Sequence, residues 1–143
     1  MISRILALIC LLLCTSHALA APEDEAAIRQ TALNYIEGWY EGDAARVQSA
    51  LHPKLAKRSV WTKDGKSTLV ELSAVSLVEA AAKGGGSKTP KELQQKDVVI
   101  LDVFGNAASV RATMRGWVEY MHMAKVDGRW VIVNMVLEPK AAK

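Results

Sequence analysis

The sequence predicts an α+β fold in which N-terminal helices pack on an antiparallel sheet. Apolar side chains recur at helical spacing between residues 22 and 41, which indicates an amphipathic helix. The last third of the chain is rich in β-branched residues and contains the dipeptide Asp127-Gly128, a strong signal for a two-residue hairpin turn. Helices followed by a run of strands are the order expected of an α+β domain.

Residues 1–20 have the composition of a secretory signal peptide. Arg4 precedes an apolar run over residues 5–13, and an Ala-Leu-Ala cleavage pattern ends at Ala20. The apolar run is too short to span a bilayer comfortably. We therefore expect cleavage near Ala20, no stable membrane anchor, and an exported chain, periplasmic or secreted, with a single domain over residues 21–143.

The composition of the mature chain excludes several classes of function. Both cysteines, Cys10 and Cys14, lie in the signal, which leaves no disulfide, thiolate nucleophile or Cys-based metal site. Without Arg4 the chain has 17 basic and 15 acidic residues, a net charge of +2 that gives no basic surface for nucleic acid. The cluster of Lys54, Lys57 and Arg58 is expected to be a solvated face. The histidines have no metal-ligand spacing, so neither a metal nor a cofactor is expected.

Three helices are predicted in the first part of the chain. The first begins at Pro22, where acidic residues suit the positive end of the helix dipole, and ends before Gly42. Asp43 is the expected cap of a second helix and Ser73 of a third. The glycine-rich loop of residues 84–90 is expected to be flexible and could shape the mouth of a pocket.

The strands follow from β-branched runs and turn dipeptides. A short strand is predicted over residues 55–61, before a turn in the sequence KDGK. Three longer strands are predicted in the last third, the second as one long strand with a plausible bulge at Gly116. The three strands are predicted over residues 91–104, 106–126 and 129–138, with turns at Gly105-Asn106 and Asp127-Gly128.

Strand alternation assigns the side chains of the last hairpin to two faces. A two-residue turn pairs Val126 with Arg129, which fixes the register. The face with Trp130 then carries Trp117, Glu119, Met121, Met123, Ile132, Asn134 and Val136. The opposite face carries Val118, Tyr120, His122, Ala124, Val131, Val133, Met135 and Leu137. Glu119 and His122 are thus predicted to lie on opposite sides of the sheet and not to act as an acid–base pair.

Both predicted faces are apolar, although an antiparallel sheet with one wet face should alternate with polar residues. The helices can cover only one face. We therefore expect a homodimer through the other face, with Tyr120, His122, Val133 and Met135 in the interface. The competing explanation is a third helix wrapped over the back of the sheet.

Several segments resemble the nuclear transport factor 2-like superfamily, most closely its branch of putative lumazine-binding and polyketide-cyclase-like proteins. They are YIEGWYEGD, ALHPKLAKR, DVVILDVFGNAASVRA and WVEYMHMAKVDGRWVIVNMVLEP, and together they span nearly the whole mature chain. The resemblance implies a cone, in which a curved antiparallel sheet and helices close an internal hydrophobic pocket, and it implies dimers through the sheet. Because the superfamily includes isomerases, dehydratases, cyclases and inert binding modules, it implies the fold more narrowly than the activity.

In proteins of this superfamily the tryptophan of the DGRW hairpin packs inward, so the face of Trp130 is implied to line the pocket. The implied ligand-binding residues are Tyr35, Trp39, His52, Trp61, Trp117, Met121, Trp130, Ile132 and Asn134. Glu119 is the candidate catalytic residue, since a carboxyl group in an apolar pocket can serve as general acid or base. It could equally orient a ligand, pair with an arginine such as Arg115, or lie at a solvated pocket mouth. The tryptophans and Tyr35 could equally be core residues.

Three functions are consistent with this sequence. The first is an exported protein that binds a small hydrophobic or aromatic molecule without catalysis. The second is an isomerase, dehydratase or cyclase that uses Glu119 for proton transfer. The third is a dimeric protein-interaction or assembly module.

Overall fold

The computed structural model describes residues 21–141, so the predicted signal peptide of residues 1–20 lies outside the described residues. The helices are α1 (Pro22–Glu41), α2 (Ala44–Ala50) and α3 (Ala74–Ala82), and a short 3-10 turn covers Lys91–Leu93. The strands are β1 (Leu51–Lys63), β2 (Lys66–Leu72), β3 (Lys96–Phe104), β4 (Ala107–Met114), β5 (Trp117–Val126) and β6 (Arg129–Pro139).

The predicted signals for the helix ends are confirmed. Pro22 is the first residue of α1, and Gly42 ends that helix in the left-handed conformation at φ 69° that glycine adopts without strain. The Asp43 side chain accepts the backbone N–H of Arg46 at the start of α2. Ser73 forms a capping box at the start of α3. Local sequence therefore determines where each helix starts.

The six strands form one open sheet in the order β2-β1-β6-β5-β4-β3. Every neighbouring pair is antiparallel except β1 and β6, which run parallel. The predicted α+β cone is confirmed, with three helices on one face of the sheet. The expectation of an entirely antiparallel sheet is corrected, because β1 joins the meander beside its last strand.

Residues 106–126 do not form the one long strand that the sequence predicted. They form β4 and β5, which pair with each other from Thr113 opposite Val118 onward. The reversal at Arg115 and Gly116 is held from outside the hairpin. The Arg115 N–H donates to the Tyr40 hydroxyl at 3.0 Å, and the Gly116 carbonyl accepts the Lys140 N–H at 2.8 Å. This turn was missed because distant residues stabilise it and no strong turn dipeptide marks it.

A β-bulge in β6 changes which side chains face inward. Met123 pairs with Ile132 but His122 pairs with Asn134, so Val133 is the extra residue of β6. Asn134 therefore lies on the outer face, where its amide contacts the His122 ring at 3.1 Å. Met135 turns into the core and is fully buried. The predictions that Asn134 and Val136 share the face of Trp130 and that Met135 and Leu137 lie on the outer face are wrong, because the predicted alternation did not include the bulge.

The core lies between the helices and the concave face of the sheet. Ile28, Ile36 and Val47 on the helices and Met121 and Ile132 on the sheet are fully buried there. No helix within residues 21–141 covers the convex face. The large apolar side chains exposed on it include Val99, Leu101, Phe104, Tyr120 and Val136.

Candidate functional site

Three polar side chains meet inside the core. Tyr35 is on the buried stripe of α1, Lys57 is on β1, and Glu119 is on β5. Lys57 pairs with Met135 of β6, and Glu119 pairs with Leu137 of the same strand. Both side chains consequently point to the concave face, where α1 brings Tyr35 against them.

Lys57, Glu119 and Tyr35 form a closed hydrogen-bond triangle. The Lys57 ammonium lies 2.5 Å from Glu119 Oε1 and donates to the Tyr35 hydroxyl at 2.7 Å. The Tyr35 hydroxyl donates to the same carboxylate oxygen at 3.1 Å. Lys57 is 2% exposed and Glu119 is 0% exposed, so the ion pair is almost completely removed from water. Such a pair is tolerated only because each charge faces its partner.

The ionisation of the triangle follows from burial and charge. Desolvation lowers the pKa of Lys57, but attraction to the Glu119 carboxylate outweighs it, and the net pKa is raised. Desolvation, reinforced by the Glu119 charge, raises the pKa of the Tyr35 hydroxyl. At neutral pH Lys57 is therefore an ammonium and Tyr35 a neutral phenol, which leaves Lys57 without an amine lone pair for nucleophilic chemistry.

The sequence did not identify Lys57 as a partner of Glu119. It was placed with Lys54 and Arg58 on a solvated face, and this is wrong for Lys57. Arg115, named as a possible partner of Glu119, is instead exposed at the β4–β5 turn. The sequence did contain a usable signal. Strand alternation places Lys57 on the same face as Leu55, which is apolar, and Ser59, which is small. A single lysine on such a face needs a buried acid.

Three buried polar atoms near this triangle have no hydrogen-bond partner among the described residues: Glu119 Oε2, Trp39 Nε1 and Trp117 Nε1. We call these three residues the tryptophan–glutamate cluster. Trp39 and Trp117 pack edge to face with ring centroids 6.1 Å apart, and Trp39 lies one helical turn after Tyr35. Buried polar groups without partners are uncommon in folded proteins, and each needs an explanation.

The glycine-rich loop covers one edge of this cluster. The Gly86 N–H donates to the Trp39 carbonyl at 2.8 Å. A side chain at Gly86 would place its first carbon 2.8 Å from Trp39 Nε1, and one at Gly85 would meet the Trp39 carbonyl at 2.7 Å. Glycine is therefore required at both positions for the loop to lie this close to the indole.

A surface cleft at the end of the sheet borders one residue of the cluster, Trp117. Its volume is about 320 Å³, and its walls include Tyr40, Thr89, Arg115, Trp117 and Lys140. This volume is at the lower end of the range for small-molecule sites. Trp117, which is half-buried, links the cleft to the interior.

The other predicted site residues lie apart from this cluster or pack as core. Met121 and Ile132 are fully buried, and the Trp130 N–H donates to the Asp24 carboxylate at 2.8 Å. His52 borders a different cleft near α2, and Trp61 is 52% exposed close to the tip of the β1–β2 hairpin. The structure thus brings together Tyr35, Trp39, Trp117 and Glu119, and it separates them from His52, Trp61 and Asn134.

Within residues 21–141, no group of three or more histidine, cysteine or acidic side chains is placed to hold a metal ion. None of the helices in this range has both the length and the apolar character needed to span a bilayer.

The fold matches solved structures of one superfamily. An NTF2-like protein of unknown function from Shewanella baltica OS155 is 20% identical, covers 84% of this chain and 96% of its own, and has a TM-score of 0.63. An NTF2-like protein with a cystatin-like fold from Novosphingobium aromaticivorans is 13% identical over 85% of this chain and 84% of its own, with a TM-score of 0.61. A ketosteroid isomerase-like protein from Erwinia carotovora atroseptica is 14% identical over 85% of this chain and 100% of its own, with a TM-score of 0.56.

These likenesses and the cone of three helices on a six-stranded sheet define an NTF2-like fold. A family model described as "Putative lumazine-binding" matches residues 23–138, and the chain belongs to that family. A search among curated proteins finds no match. The resemblance stated from the sequence is confirmed in both its superfamily and its branch.

Proposed function

We propose that this chain binds a small heteroaromatic molecule at the tryptophan–glutamate cluster. The observation that carries the proposal is that two indole N–H donors and one carboxylate acceptor are buried there without partners among the described residues. A ligand that offers hydrogen-bond acceptors to the indoles and a donor to the carboxylate would satisfy those of the three atoms that it reaches. The family description, lumazine-binding, names a molecule with both kinds of group.

The surroundings of the cluster favour a flat and uncharged ligand. Because Lys57 already balances the charge of Glu119, a further buried charge would be uncompensated. The rings of Trp39 and Trp117 offer flat apolar surfaces beside the polar atoms. We propose that the ligand enters by the cleft at Trp117 and that the loop of residues 84–90 moves to admit it.

Calorimetric titration of the purified chain with lumazine tests this proposal. Trp117→Phe keeps the aromatic ring and removes one donor, so we expect binding weaker by about three- to tenfold, the value of one hydrogen bond. Trp61→Phe is the matched control, because Trp61 lies close to the tip of the β1–β2 hairpin and away from the cluster. The affinity of this variant for lumazine should equal that of the unmodified chain. The absence of saturable heat with lumazine and a panel of uncharged heteroaromatics, or equal affinities for the two variants, would refute the proposal.

Catalysis by Glu119 is the second candidate function, supported by its partnerless Oε2 oxygen. The other oxygen is bound by Lys57 and Tyr35, so proton transfer would have to use Oε2. Glu119→Gln removes the carboxyl group that could transfer a proton and keeps the shape of the side chain. Turnover of a bound ligand that persists in this variant would exclude the catalytic role.

We also propose that the exported chain forms a homodimer through the convex face of the sheet. The exposure of Tyr120 and Val136 in the centre of that face supports a covered surface, and His122 and the bulge residue Val133 lie within it or beside it. Tyr120→Glu should then convert dimers to monomers in sedimentation at micromolar concentration. A monomeric unmodified chain would contradict the dimer, and recovery of uncleaved chain from the cytoplasm would contradict export.

A further inference from the structure

Two neighbouring clefts lie on the surface between α2, α3 and the β5–β6 turn. Two clefts of about 560 and 270 Å³ adjoin there, because Gln48, Leu51 and Pro53 line both of them. The smaller cleft continues along α3 past Val75 and Val78, and the larger one continues to the β5–β6 turn at Arg129. Together they form one groove, which we call the α2 groove.

One end of the α2 groove is apolar. Apart from Gln48 and the rim residue Glu79, its wall consists of Leu51, Pro53, Ala74, Val75 and Val78. Val75 is 65% exposed, whereas Leu51 and Ala74 of the same wall are buried. An exposed apolar wall of this kind favours a partner that brings an alkyl or other apolar surface.

The opposite end of the groove offers hydrogen-bond donors. Arg129 donates one N–H to the Ser49 carbonyl at 3.2 Å, and no carboxylate of the described residues lies within ion-pair distance of its guanidinium. The His52 Nδ1 accepts the Lys54 N–H at 3.1 Å, which leaves the proton on Nε2. Asp127 borders the same end, so the site suits one carboxylate and not a more highly charged group.

From this polarity we infer that the α2 groove binds a fatty acid, with the carboxylate at Arg129 and His52 and the alkyl chain along Val75 and Val78. A guanidinium and an imidazole N–H are good donors to a carboxylate. The apolar end of the groove can bury part of the alkyl chain of the fatty acid and so remove it from water. The site shares no residue with the tryptophan–glutamate cluster and does not depend on the function proposed for it.

The dependence of affinity on alkyl length tests the inference. Saturated carboxylates from hexanoate to dodecanoate are titrated calorimetrically into the purified chain, below their micelle concentrations. We expect the affinity to rise by about fourfold for each added methylene until the apolar end is filled, and then to stop rising. Decanol should bind at least tenfold more weakly than decanoate because it lacks the charge.

Matched variants locate the site. Arg129→Gln should weaken decanoate binding at least tenfold, whereas Arg29→Gln should not, although Arg29 also donates one N–H to a backbone carbonyl. Val75→Asp should abolish the length dependence, and Leu93→Asp, also at an exposed apolar position, should preserve it. Both targets are exposed, so the variants are expected to fold.

Three results would overturn the inference: affinity that does not change with alkyl length, equal effects of Arg129→Gln and Arg29→Gln, or decanoate binding that Trp117→Phe removes. The last result would place the fatty acid at the tryptophan–glutamate cluster. Unchanged decanoate binding in Trp117→Phe, with lumazine binding weakened, would support two separate sites.

Discussion

Replacing Lys57 with methionine tests the buried ion pair, because methionine fills a similar volume without the charge. The substitution removes two charge-assisted hydrogen bonds, to Glu119 Oε1 and to the Tyr35 hydroxyl, at positions that are 0% and 2% exposed. Such bonds contribute about 1.5–3 kcal/mol each. Removal of one partner of a buried pair costs about 3–5 kcal/mol overall. We therefore expect the free energy of unfolding to fall by about 3–5 kcal/mol.

Urea denaturation followed by circular dichroism measures this change. With a slope of about 2 kcal/mol per molar urea, the middle of the range for small domains, the midpoint should fall by roughly 1.5–2.5 M. Arg58→Gln is the control, since the Arg58–Glu71 pair is 41% and 76% exposed and should contribute less than about 1 kcal/mol.

The double variant Lys57→Met/Glu119→Gln separates charge from shape. The glutamine oxygen can still accept the Tyr35 hydroxyl, and no charge is left without a partner. We expect the double variant to recover at least half of the stability that the single variant loses. If Lys57→Met costs no more than Arg58→Gln, or if the double variant is as unstable as the single one, the account of a stranded buried charge is refuted.

Three further predictions follow from local geometry. Met135→Ala should cost about 2–5 kcal/mol in urea denaturation and Val136→Ala less than about 1 kcal/mol, and the reverse order would place the β6 bulge elsewhere. Gly86→Ala should destabilise the chain by about 1–3 kcal/mol, whereas Gly116→Ala, which meets no atom within 4 Å, should be nearly neutral. Asp24 has a pKa held below its ordinary value by hydrogen bonds, first from a lysine and then from an indole. The stability that the Asp24 carboxylate contributes is therefore complete above the ordinary pKa of 3.8, and it is lost as the pH falls through the lower folded-state pKa. Asp24→Asn should consequently make the melting temperature depend less steeply on pH in the acid range.

The sequence predicted most features that depend on neighbouring residues. Pro22, Gly42, Asp43 and Ser73 mark helix ends through contacts within one turn, and all four predictions are confirmed. The turn at Asp127 and the inward packing of Trp130 are also confirmed. These features are accessible because the chemistry that determines them lies within a few residues along the chain.

Features that depend on distant residues were missed. The turn at Arg115 is held by Tyr40 from α1, and Lys57 is matched to an acid 62 residues away. The bulge at Val133 leaves no signal in a strand whose residues 130–137 are apolar except for Asn134, so one extra residue reversed the predicted faces of residues 134–137. The core acid was therefore identified and its partner was not.

The parallel pairing of β1 with β6 determines when this chain can finish folding. The last strand occupies the third position of the sheet and joins the β1–β2 hairpin to the β3–β5 meander. Neither part can acquire its native neighbour until synthesis has passed residue 139, and pairings of such long sequence separation form slowly. The nascent chain thus remains incompletely folded until its C-terminal strand is available. That delay is compatible with the proposed export through a channel that admits unfolded chains.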